Sequence, residues 1–231
     1  MIIKGLQKLT LLDYPGKVAC TVFTGWCNFR CPFCQNSELV ISPALNRTIP
    51  DREIFDYLSK RSGMLDGICI TGGEPLVQED LIQFIEKCKQ LGYLVKLDTN
   101  GYLSDKLAEI LYLGIVDYVA MDIKAAPENY PRLTGVAGLD IKPILESVNL
   151  LKECGLPHEF RTTVVGDMHT ADDFVKIAGW LEGEEKYFLQ KFVDSGAIIE
   201  GGHKAPSDET MREYLAIVQK KIPGAELRGV E

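Results

Sequence analysis

Residues 18–34 read Val18-Ala19-Cys20-Thr21-Val22-Phe23-Thr24-Gly25-Trp26-Cys27-Asn28-Phe29-Arg30-Cys31-Pro32-Phe33-Cys34. The first seven are apolar, β-branched or small, the composition of a buried strand. Gly25 closes that run, and a loop carrying three thiols follows at once. The same rhythm of apolar run, reactive loop and helical pattern repeats along the chain. Further runs lie at Ile68 to Thr71, Tyr93 to Leu97, Tyr118 to Met121, Glu159 to Val165 and Tyr187 to Leu189. Helical spacing marks Asp51 to Ser62, Gln78 to Leu91, Ser104 to Leu113, Ile141 to Glu153, Ala171 to Leu181 and Ser207 to Lys221. Leu81, Ile82, Ile85 and Cys88 form one apolar stripe at helical spacing. Ser104 and Ser207 stand where N-caps belong, and Gly92, Gly114 and Gly155 where helices end.

Alternating strand and helix implies a parallel sheet with right-handed crossovers. Six such units make an open doubly wound sheet or a barrel, complete or partial, and both gather chemistry at the C-terminal strand ends. The residues just after each run fit that rule. They are Gly25-Trp26-Cys27, Gly72-Gly73-Glu74-Pro75, Asp98-Thr99-Asn100-Gly101, Asp122-Ile123-Lys124, Gly166-Asp167-Met168-His169 and Gln190-Lys191.

The chain has 231 residues, 46% of them hydrophobic and 25% charged, with 25 Lys and Arg against 33 Asp and Glu. That length suits one α/β domain with a sizeable core. A net charge of −8 argues against wholesale nucleic-acid binding, which needs a basic face. No apolar run approaches the roughly 18–20 residues of a membrane span, and the first residues lack the pattern of a signal peptide. The expectation is a cytoplasmic protein. Seven cysteines are many for a reducing compartment, and the number is odd. Cys27, Cys31 and Cys34 crowd together. Cys20, Cys69, Cys88 and Cys154 are scattered on apolar faces and are expected as buried free thiols.

A C-x3-C-x2-C set on one loop can converge on one metal centre. Closed zinc wants four ligands, and no fourth Cys or His lies nearby. An iron–sulfur cube used only for electron transfer also takes four. Three would leave one iron open to a small molecule. At this point zinc, free thiols and an open cluster remain alternatives.

The cysteine motif, with aromatic Phe33 before its last member, resembles that of the radical S-adenosylmethionine superfamily. Gly72-Gly73-Glu74-Pro75 resembles that superfamily's second motif. Leu12-Asp13-Tyr14-Pro15-Gly16, Asp98-Thr99-Asn100-Gly101 and Met121-Asp122-Ile123-Lys124 together are similar to the glycyl-radical activase branch, most of all to activating proteins of anaerobic ribonucleoside-triphosphate reductase, then to pyruvate formate-lyase activases. The resemblance implies a [4Fe–4S] cluster on Cys27, Cys31 and Cys34 and S-adenosylmethionine on its open iron. Reductive cleavage would yield a 5′-deoxyadenosyl radical that takes hydrogen from a glycine of a partner enzyme. A reduced flavodoxin or ferredoxin-type protein would donate the electron. A small-molecule substrate, such as a pterin or modified-base precursor, is the alternative within the superfamily; a metal-storage or electron-transfer protein is the alternative outside it.

The resemblance also implies roles. The Phe33 backbone would meet the adenine. Gly72 and Gly73, lacking Cβ, would let backbone carbonyls approach the cofactor's ammonium, with the negative charge of Glu74 nearby. Asp98, Thr99 and Asp122 resemble a monovalent-cation site beside the cofactor carboxylate. Two carboxylates and a third from the ligand repel unless a cation or Lys124 lies between them. Arg161 is placed to grip a carboxylate bidentately. Of the histidines, His169 is the one expected nearest the site, and the Gly-rich loop Asp194 to Pro206, with His203, to lie over the barrel mouth or on the surface.

The expected fold is an α/β partial (β/α)6 TIM-like barrel, open on one side, forming a single domain over 1–231. Residues 1–17 would be an N-terminal hairpin extension over Leu6 to Val18, residues 18–190 the β/α core, and residues 191–231 a loop, helix and short strand. The stretch Cys34 to Asp51 is too short and too poor in cysteine for an inserted ferredoxin-like segment.

Overall fold

The apolar runs pair side by side in chain order. The computed structural model describes residues 1–41, 47–194 and 196–230, so part of the Cys34 to Asp51 stretch and residue 195 of the long loop lie outside the described residues. The strands are β1 (Ile3–Thr10), β2 (Ala19–Thr24), β3 (Gly67–Gly72), β4 (Leu94–Thr99), β5 (Tyr118–Asp122), β6 (His158–Val164), β7 (Tyr187–Lys191) and β8 (Glu226–Arg228). They form one sheet in the order β1 to β8. β1 runs antiparallel to β2, and every later neighbour is parallel. β1 does not pair with β8, so the barrel is partial and open.

Two expectations shift here. The N-terminal hairpin is not a separate appendage: its second strand is β2 itself, the first parallel strand of the barrel. The short C-terminal strand joins the same sheet beside β7, so parallel pairing continues beyond the six units expected.

Eight α-helices lie among the described residues: α1 (Ser37–Ile41), α2 (Asp51–Ser59), α3 (Leu81–Gln90), α4 (Ser104–Leu113), α5 (Tyr130–Thr134), α6 (Lys142–Glu153), α7 (Ala171–Trp180) and α8 (Asp208–Val218). The apolar stripes face the sheet. Leu81, Phe84, Ile85 and Cys88 of α3 are buried with Ile68, Ile70, Val95 and Leu97 of the strands. Ser207 caps α8 by accepting from the Thr210 N–H. Ser104 does not cap α4; Leu103 takes that position and the Ser104 hydroxyl donates to Glu146 instead. Gly114 is the left-handed cap of α4, while Gly92 and Gly155 fall one residue past their helices' caps.

Alternation along the strands sends the other residues into the barrel, and these are unexpectedly polar. Thr21, Cys69, Lys96, Asp98 and Glu159 are all buried. Among the described residues no helix is long and apolar enough to cross a membrane.

Candidate active site

The C-terminal strand ends meet around one cavity of about 220 Å³. Cys27, Cys31, Cys34, Phe33, Gly72, Gly73, Glu74, Asp98, Thr99, Asp122, Lys124 and Arg161 all line it. These are the site residues expected from the sequence, drawn from β2, β3, β4, β5 and β6 and the loops that follow them.

The thiol loop is pinned from three directions. Arg30 N–H donates to Thr134 O at 2.8 Å, tying it to α5. Glu200 N–H donates to Pro32 O at 2.8 Å, and Gln35 and Ser37 side chains donate to the carbonyls of Val193 and Ala197, both at 2.6 Å. The long loop after β7 is therefore tied across the thiol loop. Trp26, with φ of 68°, precedes the first thiol in the left-handed region that non-glycine residues seldom adopt. Its N–H donates to Leu39 O and its carbonyl accepts from Glu74 N–H, each at 2.8 Å.

That carbonyl explains the diglycine. A Cβ on Gly73 would stand 1.9 Å from Trp26 O, and one on Gly72 2.4 Å from Thr24 N. Only glycine lets the turn after β3 lie flat against the thiol loop.

Glu74 is turned inward rather than toward open solvent. Its carboxylate accepts from Leu76 N–H at 3.0 Å, the Thr99 hydroxyl at 2.8 Å and Asn100 N–H at 2.7 Å. Burial pushes its carboxyl up to about 7 against the pull of those three donors. Thr99 is thereby committed to Glu74.

Beside them lies a chain of charges. Arg161 donates to Asp122 Oδ1 at 2.5 Å and to Asp98 Oδ2 at 3.0 Å. Lys124 pairs with Asp122 at 2.8 Å, and Lys96 with Asp98. Burial would raise both carboxyls, yet Arg161 and then Lys124 hold Asp122, and Arg161 and Lys96 hold Asp98, below the usual carboxylate range. The sequence reading put a cation, or Lys124, between these carboxylates; in the structure Arg161 bridges them. Among the described residues, no three His, Cys, Asp or Glu side chains are gathered as for a single metal ion.

His169 does not face the cavity. Its Nδ1 accepts from Val165 N–H at 3.1 Å, so the proton sits on Nε2, which donates to Lys124 O at 2.9 Å. Burial pushes the imidazole's pKa down. It is a strut under Lys124. His203 pairs with Asp167 at 2.8 Å. Cys20 and Cys88 are buried as expected, but Cys154 is exposed and Cys69 lies in the polar barrel interior, 3.7 Å from Asp98 Oδ1. Lys96, Asn28 and Asn100 were not singled out in the sequence. Lys96, 1% exposed, had a signal: a lysine two residues before Asp98 in an otherwise apolar strand shares its face.

The sequence profile of the Radical SAM superfamily matches residues 21–181. The chain belongs to the radical SAM superfamily. Its relatives place it in the glycyl-radical activase branch. It is 31% identical, over 99% of its length and 96% of the relative's, to a protein of Methanocaldococcus jannaschii whose name assigns it provisionally to glycyl-radical enzyme activation. It is also 31% identical, over 95% of its length and 92% of the relative's, to the pyruvate formate-lyase-activating enzyme of Clostridium pasteurianum. A GTP 3′,8-cyclase of Alkaliphilus oremlandii matches at 28%, over 67% of the chain and 50% of the cyclase. Among solved structures, Streptococcus suis SuiB bound to its precursor peptide superposes with a TM-score of 0.72 at 14% identity, covering 90% of this chain and 48% of SuiB. The superfamily's partial barrel is thus the fold, and this radical SAM activase has a [4Fe–4S] cluster and S-adenosylmethionine as its cofactors.

The residues present suit both. Burial keeps the Cys27 and Cys31 thiols protonated, pushing them up to about 12 and about 11, so taking up iron releases protons. Phe29 N–H already points at Cys27 Sγ from 3.3 Å, a donor a bound thiolate would use. Arg161 and Lys124 line the cavity beside Asp98 and Asp122, and Lys96 pairs with Asp98 from outside the lining, so two cationic side chains stand where an amino-acid carboxylate can be received.

Proposed function

We propose that this activase makes the glycyl radical of an anaerobic ribonucleoside-triphosphate reductase, drawing its electron from a reduced flavodoxin or ferredoxin-type protein. In this reading Cys27, Cys31 and Cys34 hold three irons of the cluster. Bound together, the two cofactors would supply one-electron cleavage of the S–C5′ bond, releasing methionine, and with it the means to take a hydrogen atom from glycine Cα. The chain's own residues bind, orient and shield. Gly72 and Gly73 offer backbone to the ammonium, and Glu74 adds negative charge behind them. Arg161 and Lys124 receive the carboxylate. The Phe33 backbone meets the adenine. His169 keeps Lys124 in place through its carbonyl.

The observation that carries this reading is the convergence of three thiols, a diglycine turn and the Arg161 and Lys124 side chains on one cavity. The motifs at Leu12 to Gly16, Asp98 to Gly101 and Met121 to Lys124 favour the reductase as target. The test is anaerobic: the reconstituted chain, a reductant and S-adenosylmethionine are mixed with a purified anaerobic reductase, a pyruvate formate-lyase, or GTP. A glycyl doublet in the EPR spectrum of the reductase, with one 5′-deoxyadenosine per radical, is the expected result. A doublet only on the formate-lyase moves the target; GTP consumption with no doublet defeats the activase reading.

A further inference from the structure

Among the described residues, two buried side-chain polar atoms have no hydrogen-bond partner, Asn28 Nδ2 and His203 Nε2. Asn28 sits inside the thiol motif, directly after Cys27. Its orientation is dictated by the backbone. Tyr102 N–H donates to Asn100 Oδ1 at 3.0 Å, so Asn100 must present its NH2 on the other arm. That arm donates to Asn28 Oδ1 at 2.7 Å and lies 3.7 Å from Cys27 Sγ. Asn28 Oδ1 is therefore committed as an acceptor. It too lies 3.7 Å from Cys27 Sγ, which puts the oxygen side of the amide beside that thiol. The remaining arm, Nδ2, is a buried donor with nothing to donate to, and flipping the amide would set two NH2 groups against each other.

A buried unsatisfied donor costs about 1–3 kcal/mol, and one that a native fold retains calls for an explanation, a redox role or a bound group among them. The acceptors that a cluster brings to this loop are sulfurs. We propose that Asn28, held by Asn100, donates an N–H···S hydrogen bond from Nδ2 to a sulfur of the cluster on Cys27, Cys31 and Cys34 and thereby raises its reduction potential. The direction follows from charge. The reduced cluster carries one more negative charge, so a donor aimed at its sulfurs stabilises the reduced form more than the oxidised form. Asn28 is a positioning and tuning residue, and the inference rests on the cluster assignment above.

The test uses the full chain, reconstituted anaerobically. Iron and sulfide at about four each per chain establish the cluster independently. An EPR-monitored redox titration of wild type, Asn28→Leu and Asn28→Asp then reads the inference. Leu removes donor and acceptor at similar size and adds no charge, so it carries the reading; Asp keeps an acceptor for Asn100 but adds a negative charge that lowers the potential by itself, and serves as a loading control. At a fixed applied potential, the reduced-to-oxidised ratio of Asn28→Leu is expected to fall about tenfold, about 59 mV for one electron. A loaded Asn28→Leu with the wild-type potential overturns the inference. Should Asn28→Leu hold no iron, wild type decides: with 15N placed in the Asn28 side chain alone, pulsed EPR of the reduced cluster is expected to show an amide nitrogen coupling, and its absence overturns the inference. A wild-type chain that binds no four-iron cluster ends the cluster assignment itself, an outcome distinct from an intact cluster with unchanged potential.

Discussion

Gly73 and Trp26 O occupy a space that no side chain can share. Adding one methyl at Gly73 forces the turn after β3 off the thiol loop, because the atom it meets is backbone and cannot step aside. Gly73→Ala is expected to weaken S-adenosylmethionine binding at least tenfold and to destabilise the fold by about 1–3 kcal/mol, read by calorimetric titration and urea unfolding. Cys31→Ala is expected to abolish the four-iron absorbance and EPR signal; full iron in that variant would refute its role as a ligand. Arg161→Met leaves Asp98 and Asp122, on the neighbouring strands β4 and β5, with only a lysine apiece. Breaking a buried pair costs about 3–5 kcal/mol, and the remaining lysines put the expected loss near the low end, measured on the apo chain at pH 7. At this scale the sequence was legible wherever a residue type was rare for its place: three thiols in one loop, two glycines before an acid, an arginine in a strand. It was opaque for Asn28 and Asn100, whose meaning depends on which arm of an amide points where, whereas Lys96 left a signal in its spacing from Asp98 that strand alternation makes readable.

Among the elements, α7 shows how firmly local chemistry sets a boundary. Thr170 accepts from Asp173 N–H, and Asp173 accepts in return from Thr170 N–H at 2.9 Å, a reciprocal capping box. Thr170→Ala is expected to cost about 1 kcal/mol, visible as a lower urea midpoint with an unchanged slope. The strands and helices were legible because apolar periodicity switches between two and 3.6 along this chain, and most boundaries moved by only a few residues. Ser104 misled because a serine before an apolar stripe reads as a cap, whereas here Glu146 of α6 competes for its hydroxyl. The hairpin was misplaced because β1 is half-buried or exposed along all but its two end residues and shares little of the buried strands' composition, so nothing local said that it would pair with β2. Cys154 looked buried by the apolar residues around it, but it follows the last turn of α6 and faces outward.

For the whole molecule, repetition pointed to a parallel α/β sheet, open or closed, and the superfamily resemblance singled out the partial barrel, while its polar interior was legible in neither. That interior gives stability a pH signature with two opposed slopes. Asp98 and Asp122 are depressed, so their contribution is present above the unfolded carboxylate value of about 3.9 and is lost as pH falls through their folded values. Glu74 is raised to about 7, so its contribution is present below the unfolded value of 4.5 and is lost as pH rises through 7. The apo chain is expected to lose on the order of 3 kcal/mol between those two pH values through Glu74, at 1.36 kcal/mol per unit. Glu74→Gln should flatten that slope, whatever its absolute stability; urea titrations at several pH values compare the two slopes. Finally, the Trp26–Gly73 contact joins the loop of thiols to the turn of glycines through backbone on both sides, with hydrogen bonds from Gly73 to Thr24 and from Glu74 to Trp26 at 2.8 Å each. The two halves of the reaction centre are splinted together. With a cluster held on one side and S-adenosylmethionine on the other, this backbone splint would fix the spacing between donor and acceptor, so that an electron would pass between them without either loop having to move.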